Sequence, residues 1–269
     1  MLRNILVATE FSGRCHRAVA RAGQLASQTG AGLTMVHVSD DGKAGRRELE
    51  QEANAAGASW RLGDGDPSRF ILGIAQETSA DLIVLGAPQR SSVRDFLSGT
   101  AAEKVIRHSA VPVLMAVASP PLAYHKVILA TDFSEASEQA VAGLKKTGLA
   151  DGCLLHLVTV YDTPEIPLMV RAGTSTAGID AYIVEQGRNA AAKLAEFNLR
   201  TGAGAAASIP KLGDASTGRM ICSVASDTGA DLIVVGTQGR TGIRRFVLGS
   251  VAEEVLRLSD VDVLAVPAA

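Results

Sequence analysis

The chain has 269 residues, of which 47% are hydrophobic and only 4% aromatic, and its formal net charge is −2. This length allows two domains of ordinary size, and the small aliphatic residues that dominate are typical of helices packed on a sheet. A near-neutral charge without a long basic run argues against nucleic acid as a main partner. No apolar run reaches membrane-spanning length, so we expect no membrane interaction.

The cysteines and the N-terminus indicate the compartment. Cys15, Cys153 and Cys222 are far apart and odd in number, which predicts neither a disulfide framework nor a zinc site. The histidines also lack metal-ligand spacing, so no metal site is predicted. Met1 leads directly into an apolar strand pattern and leaves no room for a signal peptide. We therefore expect a reduced, cytoplasmic, soluble protein.

The chain repeats itself, beginning with its first predicted strand. Residues 4–12, which end in Ala8-Thr-Glu-Phe-Ser12, return as residues 126–134, which end in Ala130-Thr-Asp-Phe-Ser134. Three further segments recur in the same order: 80–86 as 230–236, 97–103 as 248–253, and 111–117 as 261–266. Such self-similarity indicates two copies of one unit. Pro120 and Pro121 break the pattern between them and predict two domains, residues 1–119 and 124–269.

Within the second copy, short apolar runs alternate with helical patterns. The predicted strands are 125–131, 152–159, 205–212, 232–236 and 263–266, and the predicted helices are 134–149, 180–200, 216–228 and 250–259. This alternation predicts a parallel sheet covered by helices on both faces. A strand order of 3-2-1-4-5 would place the cleft where the first and fourth strands end. Asp132 follows the first of these strands, and Gly236 and Gly239 follow the fourth.

A glycine-rich spacing follows the fourth strand of the second copy. Gly236-Thr-Gln-Gly239 is followed by nine residues and then by Gly249-Ser250, at the start of a predicted helix. A glycine-rich loop before a helix can bring backbone N–H groups close to phosphate oxygens. The Ser250 hydroxyl could cap that helix and contact the same anion.

With this motif and the Ala-Thr-Asp-Phe-Ser element, the chain resembles the universal stress protein family in its tandem two-domain form. The resemblance covers nearly the whole chain. It implies two tandem Rossmann-like domains of the adenine-nucleotide α-hydrolase-like type, each a five-stranded parallel sheet. It also implies an ATP site in the second domain. If the protein is an ATPase, Mg²⁺ would bridge the phosphates.

The resemblance carries over to named positions of this sequence. Asp132 would face the adenine and Leu157 would meet the base edge through its backbone, while Gly236 would lie against the ribose. The implied phosphate-binding residues are Gly239, Gly249, Ser250 and Val251. The predicted site also includes Ala130, Thr131, Val235 and Arg240. Ala130 stands where some family members have proline, and Arg240 lies in the loop, where it could add charge.

The first copy departs from the motif at the positions that matter. Glu10 replaces the aspartate, and its extra methylene moves the carboxylate outward by about 1.5 Å. Gln89, preceded by Pro88, stands where the second copy has Gly239. A non-glycine residue at a position that needs a positive φ costs about 1–3 kcal/mol. Gly99-Thr100 is retained. We therefore predict that the first cleft is empty, or weak and altered in specificity.

Two other features have structural readings. His37 and His156 are predicted to occupy equivalent strand positions and to pack in the core. Residues 161–178 are predicted to form a long loop with two prolines and an apolar cluster. This loop either packs on its own domain or serves as a lid or a contact surface for a partner.

Three functions remain open on the sequence. The first is an ATP-binding sensor or regulator in the stress response that acts through an unidentified protein partner. The second is a slow Mg-dependent ATPase, against which the lack of an evident base counts. The third is a scaffold that binds a partner or an apolar ligand through residues 161–178. The last strands of the two copies are predicted to pair in an intramolecular pseudo-dimer. The sequence leaves open whether two chains also form a homodimer.

Overall fold

Each half of the chain folds as an alternation of strands and helices. The structure is a computed structural model that describes residues 2–40, 42–87, 99–117, 123–238 and 248–268. The first half consists of β1 (Asn4–Ala8), α1 (Gly13–Thr29), β2 (Gly32–Val38), α2 (Arg46–Ala55), β3 (Ser59–Gly63), α3 (Pro67–Glu77), β4 (Leu82–Gly86), α4 (Ala101–His108) and β5 (Val113–Ala116). The second half consists of β6 (Lys126–Ala130), α5 (Glu135–Thr147), β7 (Leu154–Tyr161), α6 (Ile166–Arg171), α7 (Thr176–Thr201), β8 (Ala207–Leu212), α8 (Thr217–Thr228), β9 (Leu232–Gly236), α9 (Ser250–Leu258) and β10 (Asp262–Val266).

The strands within each half are parallel and follow the order predicted from the sequence. The first half reads β3-β2-β1-β4-β5 and the second reads β8-β7-β6-β9-β10. The two sets join into one ten-stranded sheet because β5 and β10 pair antiparallel, with Met115 opposite Val263. This is the pairing of last strands that the sequence predicted. It removes the two edges that β5 and β10 would otherwise expose.

The sheet is buried on both faces, which explains why its central strands are almost continuously apolar. One apolar layer lies between the sheet and α1, α2, α5 and α7. The other lies between the sheet and α3, α4, α8 and α9. Neighbouring residues of a strand point to opposite layers, as Leu157 and Val158 of β7 do. Strand order changes direction at β1/β4 and at β6/β9, so each half has a crevice at the end of these strands.

The largest departure from the predicted elements lies in residues 161–178, which are not a simple loop. They contain α6 and the start of α7, which begins at Thr176 rather than at residue 180 and is 26 residues long, about 39 Å. No residue of α6 is buried, and Leu168 and Val170 are 63% and 59% exposed. The buried residues of α7 begin only at Ala190. The low apolar periodicity of this solvent-exposed stretch explains why its sequence pattern predicts a loop.

The predicted equivalence of His37 and His156 is wrong. Ile128 of β6 lies opposite His156, whereas the matching residue of β1, Leu6, lies opposite Thr34. His156 therefore corresponds to Thr34. The His37 ring instead makes a 2.8 Å hydrogen bond to the carbonyl oxygen of Thr9 and packs against Phe11 with ring centroids 4.4 Å apart. Apolar residues at most strand positions hide such a register offset in the sequence.

Candidate functional site

A cavity of about 290 Å³ opens in the second half, where β6 and β9 end. Most of the predicted site residues line it: Ala130, Thr131, Asp132, Val235, Gly236, Gly249, Ser250 and Val251. The sequence analysis missed further lining residues, which come from α5, β7, α8, the segment after β9 and α9: Ser137, Val158, Val160, Thr217, Ile221, Gln238 and Ala252. The cavity thus has an apolar wall of valine and isoleucine side chains beside a polar edge. This combination is common in small-molecule sites.

Hydrogen bonds orient the carboxylate of Asp132 at this edge. Its Oδ1 accepts the backbone N–H of Ser134 at 3.0 Å, the Ser134 hydroxyl at 2.5 Å and the Ser137 hydroxyl at 2.8 Å. The Ser137 hydroxyl also accepts the backbone N–H of Asp132 at 3.2 Å. Ser134 is the N-cap of α5 and accepts the N–H of Ser137. Hydrogen bonds of this kind hold the carboxylate in one orientation.

The turn that carries Asp132 is strained. Phe133 has a φ of 67°, in the left-handed region that non-glycine residues rarely occupy. Its N–H donates to the Thr131 hydroxyl at 2.9 Å, and its ring packs edge-on against Phe197 at 6.0 Å. Such a conformation costs about 1–3 kcal/mol and persists only when its surroundings fix it. The first half repeats the turn, because Phe11 has a φ of 60° and donates to the Thr9 hydroxyl.

Gly236 ends β9 where the backbone of α5 passes close by. A Cβ atom at this position would lie 3.0 Å from the carbonyl oxygen of Ala136. The glycine therefore allows the first turn of α5 to approach the end of β9. This approach brings Asp132 and the β9 end to the two sides of one cleft.

The ends of the loop after β9 are joined by a backbone hydrogen bond. The N–H of Gly249 donates to the carbonyl oxygen of Thr237 at 2.8 Å, and the N–H of Thr237 donates to Val266 of β10 at 2.9 Å. Gly239 and Arg240 lie between these ends, outside the described residues. The hydrogen bonds fix where the loop leaves the sheet and where α9 begins.

The start of α9 differs in one respect from the sequence prediction. Ser250 is not the N-cap: it is the first helical residue, and Gly249 is the N-cap, with no side chain to accept a hydrogen bond. The first turn of an α-helix leaves N–H groups without an intrahelical acceptor, and the helix dipole adds positive potential there. The lining residues Gly249, Ser250 and Val251 thus bring these donors to the cavity, an arrangement that suits an anion.

Glu254 ties α9 to α8 on the outer side of the cleft. Its carboxylate accepts the backbone N–H of Gly218 at 3.0 Å and the Ser216 hydroxyl. The start of α8 is therefore already supplied with an acceptor, while the start of α9 faces the cavity. Gly218 leaves room for this contact, because a Cβ atom there would lie 2.7 Å from the Glu254 side chain.

Leu157 is the described site residue that does not line the cavity. Its side chain is fully buried on the opposite face of the sheet, and its neighbour Val158 faces the cavity instead. The alternation of β7 could have indicated this, because Val158 and Val160 share a face. The backbone contact predicted for Leu157 stays a prediction.

The equivalent turn of the first half has the same backbone, but its acidic side chain has different partners. Glu10 accepts hydrogen bonds from the Arg14 guanidinium, including Nε at 2.8 Å, and from the Ser12 hydroxyl at 3.1 Å. The Glu10 side chain is 52% exposed, and its partner Arg14 is in the first turn of α1. Gln89 and Pro88, on which the predicted loss of the first site also rests, lie outside the described residues.

In the first half, the N-cap and a side chain of α4 itself accept N–H groups at the start of that helix. Gly99 has a φ of 80°, and its N–H donates to the buried Glu103 carboxylate at 2.6 Å. The Thr100 hydroxyl is the N-cap of α4 and accepts the N–H of Glu103 at 3.1 Å. Glu103 also pairs with Arg107. The counterpart of Glu103, Glu253, is exposed, so the two helix starts differ although their sequences are similar.

The described ranges contain neither a clustered set of metal ligands nor a helix that could span a membrane. Within the described ranges, no three or more His, Cys, Asp or Glu side chains are grouped so as to hold a metal ion. Among the helices of the same ranges, none is both long and apolar enough to cross a bilayer.

Comparisons with known proteins agree with this architecture. A Staphylococcus saprophyticus protein named as a universal stress protein is 30% identical over 148 residues, 54% of this chain and 84% of that protein. A functionally unknown protein from Pseudomonas aeruginosa has a TM-score of 0.67 at 23% identity, covering 99% of this chain and 92% of its own. A universal stress protein from Archaeoglobus fulgidus has a TM-score of 0.66 at 19% identity, covering 98% of both chains. These structural likenesses show the fold.

The family comparison covers both halves of the chain. The model of the universal stress protein family matches residues 1–59, 41–116 and 123–267. The matched segments include the turns after β1 and β6 and the starts of α4 and α9. The chain therefore belongs to the universal stress protein family.

Proposed function

We propose that the cleft of the second half binds an adenine nucleotide, ATP in the first instance, and that the protein acts as a nucleotide-dependent sensor or regulator in stress responses. The observation that carries the proposal is the convergence of two groups on one cavity. The oriented carboxylate of Asp132 lies at one side, and the N-terminus of α9 lies at the other. The carboxylate suits a base with an amino donor, and the helix start suits phosphate oxygens.

The apolar wall of the cavity supports a bound base. Val158, Val160, Ile221 and Val235 supply this wall. A planar base can pack on such side chains while its polar edge meets Asp132. Backbone donors of the α9 start, with Gly239 and Arg240 from the loop, would hold the phosphates. Mg²⁺ bound between the phosphates would offset part of their charge.

The experiment has two arms. The purified protein is denatured without added nucleotide, and any released small molecule is identified and counted by mass spectrometry. In parallel, Mg·ATP is titrated calorimetrically into the wild type, Asp132→Asn and the matched first-half variant Glu10→Gln. We expect one site per chain, an affinity loss of about tenfold or more for Asp132→Asn from the lost charged acceptor, and no change for Glu10→Gln. Absence of nucleotide in both arms would overturn the proposal.

A slow ATPase is the second candidate, and the same cleft would serve it. Among the described residues that line the cavity, Asp132 is the one with a carboxylate or an imidazole, and three donors already engage its Oδ1. A general base would need an available acceptor near the attacking water. Steady-state phosphate release that saturates with ATP and is lost in Asp132→Asn would favour the enzyme, whereas tight binding without turnover favours the sensor.

A scaffold role rests on the exposed apolar side chains of α6. Leu168 and Val170 stand in solvent on a helix with no buried residue. A Leu168→Ser, Val170→Ser double variant should lose an apolar ligand or partner while its ATP affinity stays unchanged. Loss of ATP affinity in this variant would instead favour a lid over the cleft. A homodimer, the division into domains 1–119 and 124–269 and the cytoplasmic location stay predictions.

A further inference from the structure

Ser137 and Cys15 occupy the same place in the two halves. In each half the N–H of the threonine after the first strand donates to a valine carbonyl, from Thr9 to Val36 and from Thr131 to Val158, at 2.9 Å in both cases. Counting from these threonines, Ser137 corresponds to Cys15. The glycines that end β4 and β9 confirm the match, because a Cβ atom on either would lie 3.0 Å from the carbonyl oxygen of the residue just before this position.

Ser137 holds the Asp132 side chain from the first turn of α5. Its side chain is 6% exposed and lies in the second position after Glu135, which begins the helix. The hydroxyl donates to Oδ1 of Asp132 at 2.8 Å and accepts the N–H of the same residue at 3.2 Å. These two bonds fix the carboxylate relative to its own backbone. Ser137 also lines the cavity, so the fixed group lies at its edge.

Cys15 cannot supply the same contact in the first half. A thiol is a weak donor and a weak acceptor compared with a hydroxyl. The acidic residue of that turn is the longer Glu10, and Arg14, in place of Ala136, pairs with its carboxylate. The first half thus has a carboxylate neutralised by a helix residue, and the second has one oriented by a helix residue.

We propose that Ser137 is a positioning residue that holds the Asp132 carboxylate where it can recognise the amino group of the base. We also propose that Cys15, Arg14 and Glu10 together prevent this recognition in the first half. The inference rests on the proposed nucleotide function. A carboxylate that is held in one orientation accepts a hydrogen bond from the amino group of adenine without first losing rotamer freedom. The same carboxylate disfavours a base that presents a carbonyl oxygen at that place, because neither group donates.

The test compares ATP with inosine triphosphate, which has a carbonyl in place of the amino group. Both are titrated calorimetrically into the wild type, Ser137→Cys and Ser137→Ala, with Cys15→Ala as the matched first-half control. Ser137→Cys nearly keeps the side-chain volume and inserts the residue that the first half itself uses. We expect both Ser137 variants to lose about tenfold in ATP affinity, with little change for inosine triphosphate, since a hydrogen bond to a charged group is lost or loosened.

The preference for ATP separates positioning from packing. A packing role would weaken both nucleotides alike and would make Ser137→Ala worse than Ser137→Cys. That pattern, or an unchanged preference in both variants, would overturn the inference while leaving nucleotide binding intact. A wild type that binds both nucleotides equally would overturn it as well. A wild type that binds neither would instead overturn the proposed function. Cys15→Ala should bind as the wild type does.

Discussion

Arg21 of α1 and Asp262 of β10 form a buried ion pair that joins the two halves. The Nε atom of Arg21 donates to Oδ2 of Asp262 at 2.8 Å, and the two side chains are 1% and 0% exposed. Tyr124 donates its hydroxyl to the same oxygen at 2.7 Å, and Val117 donates its N–H to Oδ1 at 2.8 Å. Burial, and then the charge of Asp262, raise the pKa of Tyr124 well above its usual value, so its hydroxyl stays a donor.

Removing one partner of this pair should destabilise the protein strongly. Asp262→Ala leaves the Arg21 guanidinium buried without its carboxylate, which typically costs about 3–5 kcal/mol. The measurement is the free energy of unfolding from urea titration. Asp227→Ala is the control, because Asp227 is exposed and lies 3.9 Å from Lys211, which is partly exposed. Exposed pairs contribute about 0–1 kcal/mol, so equal losses in the two variants would contradict the prediction.

Gly236 and Gly86 form a second matched pair for a test. A Cβ atom at either glycine would lie 3.0 Å from a backbone carbonyl oxygen, of Ala136 and Arg14 respectively. Gly236→Ala and Gly86→Ala should therefore destabilise the fold by a similar amount, about 1–3 kcal/mol for overpacking. Only Gly236→Ala should also weaken ATP binding, because only Gly236 lines the described cavity. Calorimetry with ATP checks this, and an equal loss of affinity in Gly86→Ala would contradict it.

The fold was predictable because the repeat and the strand patterns agree with each other. Apolar runs such as residues 82–86 and 232–236 predict the strands, and the proline pair predicts the junction between the two copies. The alignment of the two copies along their second strands was not predictable in detail. Thr34 and His156 are the equivalent positions, but the apolar residues around both do not reveal that His37 lies three residues further along β2. The helical start of α7 was missed because a solvent-exposed helix lacks the apolar stripe that marks packed ones.

The site was predictable where a sequence motif marks it. Asp132 belongs to the Ala-Thr-Asp-Phe-Ser element, Gly236 and Gly249 belong to the glycine-rich spacing, and all three line the cavity. Ser137 was not predicted, since its role depends on the helix bringing its hydroxyl to a carboxylate five residues earlier. The hydrogen bond from the Gly99 N–H to Glu103 was also not predictable, because the second half has a glutamate at the equivalent position, Glu253, which is exposed.

A reciprocal exchange tests the backbone at the ends of α3 and α8. Ser79 has a φ of 48°, while its counterpart Gly229 has a φ of 66°, and a Cβ atom there would meet nothing within 4 Å. Steric cost at Gly229 thus comes from the backbone conformation alone. Ser79→Gly should stabilise the protein by about 1 kcal/mol and Gly229→Ser should destabilise it by a similar amount. Thermal and urea unfolding measure both. Changes of the same sign would contradict the prediction.

His156 should make stability depend on pH below neutrality. Its buried Nδ1 has no hydrogen-bond partner among the described residues. Burial, and then the Lys126 ammonium, lower its pKa below the ordinary 6.5. The unfolded chain therefore takes up a proton near pH 6.5 while the folded chain does so only at lower pH. Since the unfolded state then binds more protons, the contribution of His156 to stability is complete above pH 6.5 and falls as the pH drops towards the folded pKa.

The variant His156→Thr, which inserts the residue found at the equivalent position of the first half, isolates this effect. Urea unfolding of wild type and variant between pH 5 and pH 8 gives the difference in free energy of unfolding at each pH. Other titrating groups change both proteins alike, so they cancel in the difference. The wild type should lose stability relative to the variant as the pH falls below 6.5, because only the wild type has an imidazole that is harder to protonate when folded. Parallel stability curves would mean that the His156 imidazole titrates equally in both states.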